Sequence, residues 1–465
     1  MADDLWTLGA CALRAGYAEG RLDPPAAMRA CLARIAQVQP ALNAFTALRA
    51  QAQLLQEAEA SAARWRAGRP LGALDGIPLA VKDNLPTADL PTSWGCAPGF
   101  RGDRDELAVA RARAAGAIVV GKTNVPEFTL EGYTSNRAFG TTRNPWNREL
   151  TPGGSSGGAV AAVAAGCVPL ALGTDGGGSI RRPASHTNLV GLKPSIGMVP
   201  RVDALPPLLL DFEVVGPIAR NVEDAQLLFD ALRGPDTRDR RSLAATAACR
   251  ERPARPLRVL HVATLDGAPV DAQVRRCTAE AAARLARMGH AVEEGALPLE
   301  LAALNRDWPR VGQIGLAWLF AQHPHWHEAA GARYAALARQ GAAQPASALW
   351  GMLEAVEQLR RDCAALFERV DLVLMPAAAA LPWPADESFP PLIDGEPVGP
   401  RGHAVFTGWV NAAGLPALAL PAGFSDEGLP IGIQLVAGYG RDDDLLDLGL
   451  AWQAQAPETG RRPVL

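Results

Sequence analysis

Cysteine is sparse and unpaired. The seven cysteines (Cys11, Cys31, Cys96, Cys167, Cys249, Cys277 and Cys363) are scattered through 465 residues with no CxxC or paired spacing. This argues against a disulfide framework and predicts free thiols in a reducing compartment. An excess of charge is missing too. The net charge of −4 leaves no basic field to attract nucleic acid or an anionic membrane. A membrane-spanning run is also lacking. The longest uncharged stretch, 151–174, starts with Gly, Ser and Pro and is interrupted by Pro169. The start, Met1-Ala2-Asp3-Asp4, is acidic and has no signal-peptide pattern. The reading is a soluble, cytoplasmic protein. The seven histidines show no zinc spacing, and His323, His325 and His327 alternate in a Trp- and Pro-containing stretch that reads as a solvated loop. No metal and no cofactor is expected, and no internal repeat is seen.

What is present is ample apolar content, 48%, in alternating helical patterns and short apolar runs. These predict an α/β fold with a central mixed sheet covered by helices on both faces. Residues 5–68 read as helices, one starting at Asp23-Pro24-Pro25 and one spanning 48–67. The informative stretch is Thr151–Ala184, with two glycine-rich clusters that each hold serine: Gly153-Gly154-Ser155-Ser156-Gly157-Gly158 and Thr174-Asp175-Gly176-Gly177-Gly178-Ser179. Glycine at this density lets the backbone turn tightly or approach a ligand closely. A serine beside free backbone N–H groups is what acyl transfer needs, a nucleophile next to a hole for the oxyanion. Upstream, Lys82 ends the apolar run Ile77–Val81. A lysine buried there loses its proton more readily, because burial disfavours the charged form.

Two other motifs compete. Gly116-Ala117-Ile118-Val119-Val120-Gly121-Lys122-Thr123 matches the phosphate-loop pattern GxxxxGK[ST], but the residues between the glycines are apolar and Pro126 follows where a helix should begin. Gly153–Gly157 matches GxSxG, but Asn144–Pro152 is a poor strand for a nucleophile elbow. Asn124, Glu127 and Tyr133 are candidates to line or brace the pocket. His186 reads as a satisfied buried histidine. Residues 234–256 read as an exposed Arg-rich loop.

GGSSGG, GTDxGGSIRxPA and Gly191-Leu192-Lys193-Pro194, preceded by VKDN and GKTN, resemble the amidase signature family, including the 24-residue separation of Ser155 and Ser179. The resemblance implies a single domain, 1–465. Within it, 1–68 is a helical N-terminal scaffold and 71–232 the signature core. Residues 257–403 form a variable helical region covering the substrate, and 404–465 return to the core. It also implies an amidase that hydrolyses the C–N bond of a linear carboxamide through a Ser179 acyl-enzyme. Ser155 relays the proton to Lys82, with Gly154–Ser155 as a cis peptide. The backbone of Gly176, Gly177, Gly178 and Ser179 would form the oxyanion hole, Ser156 and Thr174 would orient the triad as donors, and Asp175 would pack against backbone amides.

Lys122 is expected to make structural hydrogen bonds near the site; were it close to Lys82, its cation would also help keep that lysine neutral. At least one of Trp308, Trp318, Trp326 and Trp350 is expected to line an apolar pocket. Gly176 and His186-Thr187-Asn188 depart from the commoner family residues. Most relatives have one arginine after the nucleophile, where this chain has Arg181 and Arg182; Arg182 is a candidate to pair with an anionic substrate group. The expected partner is a small-molecule amide, with no nucleic acid and no membrane, and a homodimer is left open. Two alternatives stand beside this reading: the A subunit of a glutamyl-tRNA amidotransferase, and a nucleotide-binding module using Gly116–Thr123.

Overall fold

A computed structural model describes residues 5–97, 100, 102–247 and 255–465. The acidic start Met1–Asp4, Cys249 and the stretch 248–254 of the expected Arg-rich loop lie outside the described residues. One eleven-stranded sheet organises the rest. In chain order its strands are β1 (Phe45–Leu48), β2 (Pro78–Lys82), β3 (Ile118–Thr123), β4 (Leu170–Asp175), β5 (Val190–Lys193), β6 (Val214–Ala219), β7 (Arg258–His261), β8 (Ala291–Glu294), β9 (Leu372–Pro376), β10 (Ala417–Phe424) and β11 (Pro430–Ala437). Their order across the sheet is β1-β3-β2-β4-β6-β5-β10-β11-β9-β7-β8. The sheet is mixed: β3, β2 and β4 run parallel, and β4 is antiparallel to β6. The central strands β2, β3, β4 and β6 are buried along their whole length, which is why they read as continuous apolar runs and not as alternating ones.

The parallel register carries Lys82 and Asp175 to the carboxyl ends of neighbouring strands, the edge at which open α/β sheets bind ligands. Helix Gly157–Ala164 packs directly beneath. It is buried throughout, and a Cβ on Gly158 would collide with the backbone of Asn124 and Ala44. Glycine is therefore required there by close approach and not by flexibility.

Several expectations change. Phe45–Leu48 lies in a stretch expected to be helical but is a strand antiparallel to β3. Its aromatic and β-branched residues suit a sheet edge, and the helix that follows runs only over Gln51–Arg66. The helix before it starts at Pro24 as expected, with the Asp23 carboxylate accepting from Ala26 N–H at 2.7 Å. His325 and His327 belong to helix Pro324–Ala329, packed on Trp326 and Phe320, and not to a loop. The expected exposed loop contains helix Arg240–Ala247. Among the described residues, no helix is long and apolar enough to cross a membrane.

Candidate active site

The two glycine-serine loops meet at the carboxyl edge of β2 and β4. Ser156 N–H donates to the Ser179 carbonyl at 3.2 Å, stitching the loops together, and the Gly154–Ser155 peptide is cis. Lys82 is fully buried, and its Nζ is hydrogen-bonded to Ser155 Oγ at 2.9 Å, Thr174 Oγ1 at 2.8 Å and Thr174 O at 3.0 Å. Burial pulls the Lys82 ammonium down to about 7. The carboxylates of Glu213 and Asp175 oppose this, and the cations that assist it are Arg201 and Arg182. Lys122 makes the structural hydrogen bonds expected of it, to Leu85 O and Thr92 Oγ1, both at 2.6 Å, and faces Asp83, so the cations acting on Lys82 are the two arginines. A neutral Lys82 can donate its two N–H groups to Thr174 and turn its lone pair to the Ser155 hydroxyl. Thr174 thus supports the lysine as an acceptor, not as the donor expected. Ser156 Oγ donates to the same Thr174 carbonyl at 3.2 Å. Asn84, to which the sequence assigned no role although it lies inside the VKDN motif, donates to Thr174 Oγ1 at 3.0 Å.

The second cluster is held from behind by Asp175. Its carboxylate accepts from Gly178 N–H at 2.7 Å, from Ile180 N–H at 3.0 Å, and from the Arg181 guanidinium at 2.9 and 3.0 Å. Burial alone would raise the Asp175 carboxyl. The Arg181 and Lys193 charges and these hydrogen bonds instead hold it far below the usual carboxylate range. Gly178 adopts φ +113°, and a Cβ there would strike Thr407, whose hydroxyl donates to Gly177 O at 2.7 Å. The Gly178 amide is therefore engaged and drops out of the expected oxyanion hole. The amides of Gly176, Gly177 and Ser179 remain as its candidate donors.

Ser179 opens into a cavity of about 660 Å³ lined by Gly176, Gly177, Arg182, Trp308 and Arg401, among others. This volume falls in the range of small-molecule sites. Of the four tryptophans singled out, Trp308 lines it; Trp326 is buried in a separate cluster, and Trp318 and Trp350 are exposed. Arg401 and His403 also line the cavity and carried no sequence signal, lying in a Pro/Gly-rich stretch outside any recognised motif. Asn124, Glu127 and Tyr133 do not line it. Asn124 bonds Gly140 O and Thr142 Oγ1, and Glu127 accepts from Gly331 N–H. His186 is buried and only half satisfied: Nε2 sits 3.1 Å from Ala380 O and Nδ1 has no partner.

Neither competing motif has its geometry. Residues 118–123 of the phosphate-loop match form the buried strand β3, with Lys122 in the core, so they cannot curl around phosphate. The segment 144–152 forms isolated bridges and no strand ahead of Ser155.

Comparison with known proteins agrees with this geometry. The chain is 35% identical to the A subunit of the glutamyl-tRNA(Gln) amidotransferase of Symbiobacterium thermophilum, covering 98% of this chain and 99% of the relative. It is 38% identical to the protein of the same name from Acidothermus cellulolyticus, over 93% and 91%. These relatives are, by name, parts of a multi-subunit enzyme that works on glutamyl-tRNA(Gln). That overturns the expectation of a small-molecule partner with no nucleic acid, which rested on the absence of a basic field. Among solved structures, a bacterial aryl acylamidase of the amidase signature enzymes superposes with TM-score 0.85 at 27% identity, covering 98% of this chain and 99% of that one. A peptide amidase from Stenotrophomonas maltophilia gives TM-score 0.78 at 28% identity, with 98% of each chain covered. The amidase family model matches residues 26–446, and the chain belongs to the amidase signature family.

Proposed function

We propose that the chain cleaves the C–N bond of a carboxamide by a serine acyl-enzyme route, and that it does so as the A-type component of an amidotransferase. The observation that carries the chemistry is the buried Lys82–Ser155 hydrogen bond, at 2.9 Å, beside the loop of Ser179. Ser179 Oγ attacks the carbonyl carbon. Its proton passes to Ser155 Oγ as the Ser155 proton passes to neutral Lys82, and the carbonyl π pair becomes the oxyanion, received by amides of Gly176, Gly177 and Ser179. Collapse breaks the C–N bond, with the proton returning from Lys82 through Ser155 to the leaving nitrogen. Water or another acceptor then takes the acyl group by the same relay in reverse. The route asks for a lysine neutral near pH 7, and burial supplies it.

The assembly reading is supported by curated relatives that match nearly the full chain at 32–38% identity, all glutamyl-tRNA(Gln) amidotransferase A subunits by name. A second reading, a freestanding hydrolase of linear amides, is favoured by solved structures that include an aryl acylamidase and a peptide amidase. Two measurements test the proposal. A fluorophosphonate probe should label Ser179; an adduct mapping by mass spectrometry to Ser155 or Ser156 overturns the nucleophile. Ammonia release by the purified chain alone, compared with release in the presence of the other amidotransferase subunits and glutamyl-tRNA(Gln), separates the two readings. Full turnover of simple amides by the isolated chain, unchanged by those partners, sinks the assembly reading.

A further inference from the structure

Two guanidinium groups stand in the Ser179 cavity with no acid to answer them. Arg182 follows the nucleophile in helix Arg181–His186 and is only 6% exposed. Its Nε has no hydrogen-bond partner, and among the described residues its guanidinium makes one hydrogen bond, a long 3.4 Å bond from Nη2 to Gly154 O. Arg401 also lines the cavity, its guanidinium 4.8 Å from the Trp308 ring centroid, which holds the group in place without neutralising it. Among the described residues, neither forms a salt bridge, and the only acids on the cavity wall are Glu131, already paired with Arg333 at 2.8 Å, and the exposed Asp266. His403, which also lines the cavity and is buried with both ring nitrogens unpartnered, is held neutral by burial and by the fields of Arg182, His186 and Arg401, so it adds no further positive charge. The two arginines feel each other, since Arg401 lowers Arg182 after burial does; the Asp175 carboxylate behind the loop opposes this through its field, without a salt bridge to Arg182.

Arg182 is buried and Arg401 half-buried, and buried guanidinium groups are almost always paired, because an unpaired buried charge is costly. We propose that Arg182 and Arg401 form a carboxylate-binding subsite, so that the amide cleaved at Ser179 carries a carboxylate besides its scissile bond. The planar forks of the two side chains match a carboxylate in two-point fashion, and the apolar wall of Trp308, Leu130 and Leu209 suits the methylene chain between carboxylate and amide. The subsite rests on the amidase reading only in taking Ser179 as the place where the amide lies.

The test is binding to the Ser179→Ala chain by calorimetry. The ligands are the monoamides of malonic to adipic acid, each against the neutral amide lacking the carboxylate (butyramide against the glutaric monoamide, for example). At least one monoamide should bind roughly 10- to 100-fold more tightly than its neutral counterpart. Adding Arg182→Met or Arg401→Met should remove that ratio, and Arg182→Lys, which keeps the charge and loses the fork, should remove part of it. Thermal melting identifies any variant that fails to fold, and Arg182→Lys and Arg401→Lys then carry the comparison. Equal binding of charged and neutral amides at every chain length, or equal weakening of both by the arginine variants, overturns the subsite. Competition by inorganic phosphate as strong as that of the best monoamide overturns its carboxylate character. Turnover persisting in Ser179→Ala would instead strike the catalytic assignment and leave the binding ratio to be read from inhibition by the free dicarboxylates.

Discussion

Arg181 and Arg182 are neighbours in sequence, both buried, yet they face opposite fates. Arg181 points to the back of the nucleophile loop. Its guanidinium donates to Asp175, to Gln434 Oε1 at 2.8 Å, to Asn411 Oδ1 at 2.5 Å and to Thr407 O at 3.2 Å. Asn411 in turn donates to the Asp175 backbone carbonyl and carboxylate. On this side the polar groups are answered, by residues from β4, β11 and helix Gly408–Ala412. Arg182 points to the front, where a guanidinium nitrogen and both nitrogens of His403 go unanswered. Buried polar groups in folded proteins are satisfied as a rule, and exceptions ask for a reason. The answered side holds the loop; the unanswered side waits for a ligand.

The largest effects should come from the front and leave the fold alone. Ser179→Ala should lower kcat by at least about 10⁴-fold with an unchanged melting curve, since Ser179 Oγ faces the cavity and the backbone anchors stay. Lys82→Ala should cost about 10²–10⁴-fold, and Lys82→Arg should do no better, because a guanidinium stays charged. In the wild type, kcat/KM should rise with pH along a limb near 7 and level off above it, since Lys82 is pulled down to about 7 and is competent only once neutral. Substantial activity in Lys82→Arg, or a rate that falls as pH rises through 7, removes lysine from the relay.

The back should behave the other way. Arg181→Met leaves the fully buried Asp175 carboxylate with only amide donors, and loss of one member of a buried pair costs about 3–5 kcal/mol. Denaturant unfolding should show the lower stability, and activity should fall with it on every amide tested. An Arg181→Met chain with wild-type stability but altered substrate choice would erase the distinction between the two arginines.

How much of this was legible follows the same division. The glycine-serine clusters, Lys82 and the α/β sheet are local signals, carried by residue type and spacing, and the geometry brings those residues together. Asp175 accepts from backbone amides, as the resemblance implied; that one of them is the Gly178 amide, leaving fewer donors for an oxyanion, was not legible, because the tight loop decides it and the glycine count does not. Arg401 and His403 were invisible for another reason. They come from 220 or more residues downstream of Ser179, in a Pro/Gly-rich segment that no pattern marks. The strand Phe45–Leu48 was lost to the helices around it, since four residues are too few to show a period. That the relatives are named for a tRNA was missed for a physical reason as well: net charge describes the whole surface of one chain and says nothing of an acceptor that a partner would present.

The smallest expected effect tests whether the front side is electrically one unit. Lys82 lies in the field of Arg182, which favours its neutral form, and of Glu213, which favours its ammonium. Glu213 is itself bonded to Arg201 at 2.6 Å and to Asn84 at 3.3 Å, so its charge is held close to the site. Removing a cation near a titrating lysine raises its pKa, and removing an anion lowers it. Arg182→Met should therefore move the kcat/KM limb to higher pH. Glu213→Gln should move it to lower pH, helped by the Arg201 charge left behind. The two profiles, measured on a neutral amide so that carboxylate binding does not enter, should bracket the wild type. Shifts in the same direction, or a limb that neither variant moves, would mean that the limb reports some group other than Lys82, and the unanswered charge of Arg182 would then matter to the substrate alone.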